Sequence, residues 1–432
     1  MEAAWIVSTI ATGAARIDRS LGGSQMQWTR SQKNVVVAAY LGWTLDAFDF
    51  FLMVFMFKDI ASTFHVDVKS VAEATFLTLA ARPIGAFIFG RLADRFGRKP
   101  TLMWNILAFS ILEAASGFAP SLMTFLGLRF LFGIAMGGEW GIGSALTFET
   151  IPLRARGVVS GLLQAGYPSG YFVAAIATYF FYDILGWRYM FLLGIAPAIL
   201  VFFIRMGVDE SPAFIEKRIK KQEHNLLGVI AREWKLALYA IFLMTAFNFF
   251  SHGSQDAYPN LFLKIQHGFD TKTLSLMTAI ANIGAICGGI GFGFLSERVG
   301  RRRAIIFAVL LALPVMPFWA FGSTPLVLGI GAFLMQVSVQ GAWGVIPVHL
   351  NELSPPEIRA TFPGVVYQLG NFIASRNLPI QVMIAEAHGN NYGLAMASVV
   401  GTVVVIIILM VVWGPERRGI AMADAQREPA PA

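Results

Sequence analysis

The sequence predicts an all-α integral membrane protein with twelve transmembrane helices, arranged as two parallel-repeat halves of six helices each. Composition is the first observation behind this prediction. Of 432 residues, 56% are hydrophobic and only 14% are charged, whereas soluble domains carry about 25% charged residues. The second observation is a series of twelve apolar segments, each long enough to cross a bilayer core. The third is a pair of charged loops that recurs at one fixed spacing, as expected of duplicated halves.

The apolar segments define the predicted spans. They are 35–57, 71–91, 101–119, 122–146, 158–181, 188–206, 236–260, 273–295, 304–321, 325–348, 361–384 and 391–413. A polar stretch rich in Lys and Glu separates the sixth span from the seventh and predicts a linker. The predicted division is an N-terminal tail at 1–34, a half at 35–206, a linker at 207–235, a half at 236–413 and a C-terminal tail at 414–432.

The basic residues predict the orientation in the membrane. Loops that follow even-numbered spans carry most of the Lys and Arg, as at Arg91, Arg95, Arg98 and Lys99 after the second span. Cytoplasmic loops are enriched in these residues. The sequence therefore predicts that the linker and both tails lie in the cytoplasm.

Composition and spacing argue against several other classes of protein. The single cysteine, Cys287, excludes a disulfide framework. The net charge of +7 is scattered over loops, so no nucleic-acid partner is predicted. The six histidines show no metal-ligand spacing, and there is no G-x-x-x-x-G-K-[ST] loop to bind ATP phosphates. Ser251 and His252 diverge on a helix and cannot form a nucleophile pair. No metal, cofactor, catalytic residue or enzyme activity is predicted.

Two loop motifs repeat at an offset of 203 residues. Gly90-Arg-Leu-Ala-Asp94-Arg95-Phe-Gly97-Arg98 is matched by Gly293-Phe-Leu-Ser-Glu297-Arg298-Val-Gly300-Arg301. The stretch from Glu149 to Arg156 is matched in the same way by the stretch from Glu352 to Arg359. Charged residues at helix ends can cap or pair with the helices that they flank. We predict a structural and gating role for Gly90, Asp94, Arg95, Gly97, Arg98, Glu149, Arg156, Glu297, Arg298, Glu352 and Arg359.

The stretch from Asn248 to Asp256, NFFSHGSQD, interrupts an apolar segment with a polar face. Asn248, His252 and Asp256 fall at i, i+4 and i+8, with Ser251 and Gln255 beside them. Such a face is costly at membrane depth unless it lines a cavity. We predict substrate contacts from Asn248, Ser251, His252 and Gln255. His252 and Asp256 are also predicted to take part in proton coupling. The alternatives are a packing histidine and a helix-end carboxylate.

Ionisable residues also lie inside the first half. Asp46 and Asp49 are three residues apart on one helix face, an arrangement that favours binding of a proton by one of them. A structural ion pair with Arg129 is the alternative. Arg129 and Glu139 are ten residues apart on their helix, so each needs a partner from another helix. Arg82 is predicted to form a gating or packing ion pair, and Glu113 has no assigned role.

Arg376 lies in the middle of the predicted eleventh span. An unpaired guanidinium is expensive there, and a carboxylate ligand would be a suitable bidentate partner. Gln368 and Asn371 precede it by about two turns and one turn and are predicted to line the same site. A permanent ion pair with Asp256 or Asp49 is the alternative. The phenylalanines around these stretches are predicted to face lipid or to pack in the core.

Two of these stretches resemble known families. GRLADRFGRK closely resembles the loop signature of the major facilitator superfamily. NFFSHGSQD resembles the signature N-x-x-[ST]-H-x-[ST]-Q-D-x-x-x-T of Jen-type lactate permeases, a family grouped with sialate:proton symporters, although Asn260 replaces the final Thr. The acidic pair in the first span and Gly137-Gly138-Glu139 are similar to bacterial carboxylate:proton symporters. Arg129 resembles an arginine that the family links to proton transfer, and the resemblance implies a proton-coupling role for Arg129 and Glu139.

The resemblance implies a bacterial inner-membrane importer of a short monocarboxylate, lactate or pyruvate, together with protons. Its partners would be the anion, the proton and the bilayer, with no obligatory protein partner. Alternatives are a sialate or aromatic-acid symporter, a proton-driven drug exporter and a non-transporting nutrient sensor. Gly166-Tyr167-Pro168 interrupts the Gly-Pro core of the drug antiporter motif. The 19 residues after Trp413 are short for a sensor.

Overall fold

A computed structural model describes residues 28–220, 226–423 and 426. These residues form helices and short connections, with no strand among them. The predicted tails and linker therefore lie partly outside the described residues, at 1–27, 221–225, 424–425 and 427–432.

Sixteen α-helices are numbered here in chain order. In the first half they are α1 (Arg30–Phe55), α2 (Phe57–Phe64), α3 (Val68–Phe96), α4 (Arg98–Gly117), α5 (Leu122–Gly137), α6 (Glu139–Thr150), α7 (Arg156–Leu193) and α8 (Ile195–Met206). Helix α9 (Pro212–Ile219) lies in the predicted linker. In the second half they are α10 (Leu226–Gln255), α11 (Thr271–Val299), α12 (Arg301–Ala320), α13 (Pro325–Leu353), α14 (Phe362–Ala374), α15 (Asn377–Ala387) and α16 (Tyr392–Trp413).

All twelve predicted spans fall on these helices. Among the residues that the structure describes, eight helical segments are long and apolar enough to cross a membrane by themselves. They are Arg30–Phe55, Val68–Phe96, Leu122–Thr150, Gly228–Gln266, Lys272–Val299, Arg301–Ala320, Pro325–Leu353 and Tyr392–Trp413. The remaining spans correspond to α4, to α7 and α8, and to the pair α14 and α15.

Several spans are not the continuous helices that the sequence predicted. The sixth is interrupted at Gly194 and the eleventh at Ser375 and Arg376. Pro379 explains the second break, because the proline ring clashes with the carbonyl of the residue four positions earlier. The seventh ends as an α-helix at Gln255 and continues at Tyr258–Gln266 in wider π-helical turns.

Close packing inside each half repeats the sequence offset. In the first half, the Ile134 carbonyl occupies the place where Gly85 would carry a Cβ. In the second half, the Val337 carbonyl meets Gly288 in the same way, and both residues lie 203 positions further on. The two halves thus build the same helix contact from the same small residue.

The halves meet along two related seams. Helix α7 packs against α11 and α13, and helix α3 packs against α14. Gly161 and Gly289 bring α7 and α11 together, while a Cβ on Gly90 would lie 2.6 Å from the Cα of Thr361. These seams position the repeated loops against the opposite half. We call the end of the molecule that carries the repeated loops, Gly90–Arg98 and Gly293–Arg301, the motif end. The opposite end is called the far end.

Candidate functional site

At the motif end, each loop motif donates or accepts hydrogen bonds across the seam. Asp94 accepts from the Ala360 N–H at 3.1 Å and from the Thr361 hydroxyl at 2.6 Å. Its counterpart in the second half, Glu297, accepts from the Gly157 N–H. One acidic residue from each half therefore binds the start of a helix in the other half.

Two equivalent ion pairs lie behind these contacts. Arg98 donates to Glu149 through Nε and Nη2, each at 3.0 Å. Arg301 donates to Glu352 at 3.0 and 3.1 Å. All four residues are buried, and both pairs are separated by 51 residues. Bidentate geometry of this kind fixes the relative positions of the helices.

Each half has one further arginine in its loop motifs that faces the opposite half. Arg156 Nη1 lies 3.9 Å from Glu352, and Arg359 Nη1 lies 4.0 Å from Glu149. Arg95 and Arg298 are instead exposed and lie over Phe96 and Phe294. Of these six motif arginines, four are buried and two are exposed.

The ends of the repeated loops need glycine. Gly97 has φ 114° and Gly300 has φ 98°, and both precede the buried arginine of their half. Residues with a side chain avoid this part of conformational space. The adjoining segments reinforce the loops, since Glu210 accepts from the Arg98 N–H and Glu416 accepts from the Arg301 N–H.

Inside the first half, Asp46 pairs with Arg82, with 3.4 Å between Asp46 Oδ1 and Arg82 Nη2. Both side chains are buried. Arg82 thus has an ion-pair partner, and the ion pair between Arg129 and one of the two aspartates that was the alternative is not formed, since Arg129 pairs with Glu113.

Arg129 pairs with Glu113, the acidic residue without an assigned role. Arg129 Nη2 lies 2.6 Å from Glu113 Oε2 and 2.9 Å from the Ser116 hydroxyl. The guanidinium also lies over the Phe132 ring, 4.0 Å from its centroid. This pair occupies the apolar interior of the first half.

Asp49 lies next to that pair. It is 1% exposed, and its Oδ1 has no hydrogen-bond partner among the described residues. Oδ1 lies 3.0 Å from the place where a Cβ on Gly194 would sit, and Glu113 Cγ lies 3.4 Å from the same place. The break between α7 and α8 therefore makes room for two adjoining carboxyl groups.

Glu139 pairs with Arg205 at the end of α8, a residue that the sequence analysis did not single out. Both are buried. Gly42 faces the pair, because a Cβ at that position would collide with the Glu139 carboxylate. The sequence indicated only that Glu139 needs a partner from another helix, and the structure identifies that partner as Arg205.

The stretch from Asn248 to Asp256 reaches the far end of α10. His252 bridges Asp256 at 3.1 Å through Nδ1 and Asn371 Oδ1 at 2.9 Å through Nε2. The His252 and Asp256 side chains are 32% and 34% exposed. This network joins helices α10 and α14 and leaves an ionisable pair accessible.

Neighbouring polar side chains hold the same stretch in place. Gln255 donates to the Ser251 hydroxyl at 3.1 Å and to Gln336 Oε1 at 3.2 Å. Asn248 is buried and donates to the carbonyl of Met244 in its own helix. Gln381 Nε2 donates to the Gly253 carbonyl at 2.7 Å.

The structure separates Arg376 from the residues with which it was grouped. Gln368 and Asn371 are buried in α14, whereas Arg376 follows the break and is exposed. Its side chain forms no ion pair with any residue that the structure describes. Arg376 thus lies in a different environment from Gln368 and Asn371, in the two-residue turn that follows Ala374.

Sequence reasoning missed an aromatic cluster where the two halves meet. Trp140 and Tyr367 have ring centroids 4.7 Å apart, and Trp343 and Tyr367 5.6 Å apart. Trp43 lies 5.5 Å from Tyr167 and 6.3 Å from Tyr367. We call these five residues the aromatic cage. Its one sequence signal is that Trp140 and Trp343 are 203 residues apart.

Comparisons with known proteins agree with this architecture. The sequence matches the family model described as Major Facilitator Superfamily over residues 39–375 and 241–430. A carboxylic acid transporter protein homolog of Saccharomyces cerevisiae is 29% identical over 422 residues, covering 89% of this chain and 68% of the relative. The sialic acid transporter NanX of Escherichia coli is 27% identical over 391 residues, covering 89% of this chain and 94% of the relative.

A solved structure gives the same result for the fold. The proton:xylose symporter XylE, bound to 6-bromo-6-deoxy-D-glucose, matches with a TM-score of 0.75 at 20% identity. The match covers 90% of this chain and 97% of that chain. At this identity the likeness shows the fold alone.

Proposed function

The chain belongs to the major facilitator superfamily, and from that membership we propose that it imports a small carboxylate together with protons by alternating access. The family match confirms the predicted fold class and the predicted membrane transporter, which is not an enzyme. The curated relatives named for carboxylic and sialic acids confirm the resemblance to that branch. The coupling ion and the identity of the transported acid are what we propose beyond the family membership.

The single observation that carries proton coupling is the environment of Asp49. This carboxyl group is buried in a membrane helix, beside Glu113 and without a hydrogen bond to Oδ1 from the described residues. An ionised carboxylate is expensive in such a place, whereas a protonated carboxyl group is tolerated. We assign Asp49 as the proton carrier, with Asp46, Arg129 and Glu139 setting the charge around it.

The second half supplies the proposed entrance for the anion. His252 and Asp256 are accessible, and His252 contacts Asn371. Arg376 is exposed shortly after Asn371 and carries an unpaired positive charge among the described residues. We propose that Arg376 attracts the carboxylate, and that His252, Ser251, Gln255, Asn248 and Gln368 guide or bind it.

The proposed orientation places the motif end and both termini in the cytoplasm of a bacterial cell. The loops after even-numbered spans are basic, and they gather at the motif end. Contacts such as Asp94 with Thr361 close that end. The structure would then represent an outward-facing or occluded carrier, and inward opening requires these contacts to separate.

Lactate or pyruvate is the first candidate substrate, because the stretch from Asn248 to Asp256 resembles lactate permeases. The aromatic cage favours a second candidate, an acid with a flat unsaturated body, since aromatic rings bind such surfaces well. Sialate remains a candidate of the same symporter class. Drug efflux is not favoured, because Tyr167 interrupts the Gly-Pro core of the antiporter motif.

Uptake into liposomes tests the function. The purified chain is reconstituted, an acidic exterior is imposed, and entry of labelled L-lactate or labelled benzoate is followed with and without a protonophore. Unlabelled pyruvate, acetate, benzoate and sialic acid serve as competitors. We expect accumulation of an acid that collapses with the protonophore. Accumulation that is the same with and without the pH gradient would contradict proton coupling. Transport of a cationic dye without transport of any acid would favour drug efflux.

A further inference from the structure

The aromatic cage brings together three tryptophans with unsatisfied donors. The Nε1 atoms of Trp43, Trp140 and Trp343 are buried and have no hydrogen-bond partner among the described residues. Each of these residues is 3% exposed. A buried indole N–H normally finds an acceptor, as Trp187 does with the Thr63 hydroxyl at 2.9 Å. Three unsatisfied donors in one cluster indicate that their acceptors come from outside the protein, and two of the donors, on Trp43 and Trp140, belong to residues that line one cavity.

The cage is built from both halves. Trp43, Trp140 and Tyr167 come from α1, α6 and α7, whereas Trp343 and Tyr367 come from α13 and α14. Trp140 and Trp343 are equivalent positions of the repeat, so the two halves each contribute one indole to Tyr367. Rocking of one half against the other must therefore change the distances within the cage.

The cage is closed in this structure. A cavity beside Trp43 and Trp140 offers about 10 Å³ to the centre of a water molecule, which is roughly the space that one water needs. Glu139 and Ser144 line the same cavity. No organic acid fits into it, so the halves must part before a ligand can reach the indole donors.

We propose that the aromatic cage is the central binding site, in which the indole N–H groups of Trp43, Trp140 and Trp343 hold the carboxylate of an acid with a flat, unsaturated body. Neutral donors bind the anion without adding a permanent positive charge. Faces of Tyr167 and Tyr367 pack against the body of the acid. This inference rests on the proposed function and narrows its substrate class from any small carboxylate to unsaturated ones.

Glu139 gives the cage a link to the proton. Its Oε2 has no partner among the described residues, and its side chain lines the cavity next to Trp140. The pair with Arg205 balances the negative charge of Glu139. A proton added to this carboxyl group would remove the remaining repulsion toward an incoming carboxylate.

Equilibrium binding to the purified full chain tests the proposal. The probes are benzoate, its uncharged methyl ester, cyclohexanecarboxylate and L-lactate. The variants are Trp140→Phe and Trp343→Phe, which keep an aromatic ring and remove the donor. Trp319→Phe is the matched control, because Trp319 is equally buried but stacks on Tyr258 outside the cage. Indole ¹⁵N–H resonances of the unmodified protein report the hydrogen bonds directly.

We expect benzoate to bind more tightly than cyclohexanecarboxylate or lactate, and the methyl ester not to bind. Each cage variant should raise the Kd for benzoate about tenfold or more, as for loss of a hydrogen bond to a charged group. The control should leave the Kd unchanged, and benzoate should shift indole resonances that are absent from the cage variants.

The failures are distinguishable. If benzoate binds and neither the cage variants nor the indole resonances respond, the cage is not the carboxylate site, although the carrier function stands. If lactate alone binds and is taken up, the unsaturated substrate class is wrong. If no acid binds or is taken up in liposomes, the proposed function fails and this inference fails with it.

Discussion

The interiors of the two halves differ although their motif ends are alike. The first half buries the ion pairs Asp46–Arg82, Glu113–Arg129 and Glu139–Arg205. The second half buries amides, among them Gln336, Gln340, Gln368, Asn371, Asn377 and Gln381. Its ionisable pair, His252 and Asp256, lies partly exposed at the far end.

At the motif end, by contrast, the two halves are alike. Arg98–Glu149 and Arg301–Glu352 have nearly the same geometry in both halves. A rocking carrier needs matched contacts where the halves close, because both seams must open and close together. It needs different interiors if the first half handles protons while both halves contact the solute. The contrast thus points to a division of labour that duplicated halves can acquire.

The largest expected effect comes from breaking a charged pair of the first half. Arg129→Ala leaves Glu113 buried without a counter-ion, and we expect a loss of about 3–5 kcal/mol in stability together with loss of uptake. Thermal unfolding of the purified variant and acid-driven uptake in liposomes measure the two effects.

A double variant turns this pair into its counterpart from the second half. The equivalent positions there are Met316 and Ala332, so Glu113→Met with Arg129→Ala removes both charges. We expect restored thermal stability without restored uptake. Proton-driven uptake by the double variant would show that the charged interior of the first half is not needed for coupling.

The next largest effect on stability is expected from the two ion pairs of the motif end. Glu149→Gln and Glu352→Gln each keep the side-chain shape but weaken the bonds to a buried arginine, which should cost about 2–3 kcal/mol. Because the two pairs are equivalent, we expect similar losses of melting temperature and of uptake rate from both variants. If Glu149→Gln lowers the melting temperature and the uptake rate while Glu352→Gln changes neither, the two pairs are alike in geometry but not in their contribution to stability and transport.

Much of the fold could be predicted because its signals are local. Apolar length indicates each span, and the loop motifs reveal their equivalence through one offset of 203 residues. The partners of buried charges could not be predicted in the same way. Asp46 meets Arg82 across 36 residues and Glu139 meets Arg205 across 66, so each pair depends on how separate helices pack.

Two parts of the candidate site were obscured for other reasons. Arg376 was predicted to lie in the middle of a continuous eleventh span, whereas the helix ends at Ala374, and Pro379 was the overlooked sign of this break. The cage tryptophans do not stand out in a chain that contains 37 phenylalanines. Their meaning depends on unsatisfied indole donors, which become visible only when the halves are assembled.

A smaller effect concerns the loop glycines. Gly97→Ala and Gly300→Ala force a side chain into a glycine conformation, at about 1–2 kcal/mol each. Gly291→Ala is the control, since a Cβ there meets nothing within 4 Å. Unfolding in denaturant should show matched losses for the two loop variants and none for the control. A stable Gly97→Ala would mean that the loop relaxes without straining Arg98.

The smallest effect on stability should come from His252→Asn. Asparagine retains an amide near Asn371 but loses the pair with Asp256, which is partly exposed and worth less than about 1 kcal/mol. Uptake should nevertheless fall several-fold and lose part of its dependence on external pH, because an ionisable pair leaves the proposed entrance. His388→Asn is the matched control, since His388 is exposed and bonds to the Ile384 carbonyl of its own helix. An unaltered pH profile in His252→Asn would confine proton coupling to the first half and make the division between the halves complete.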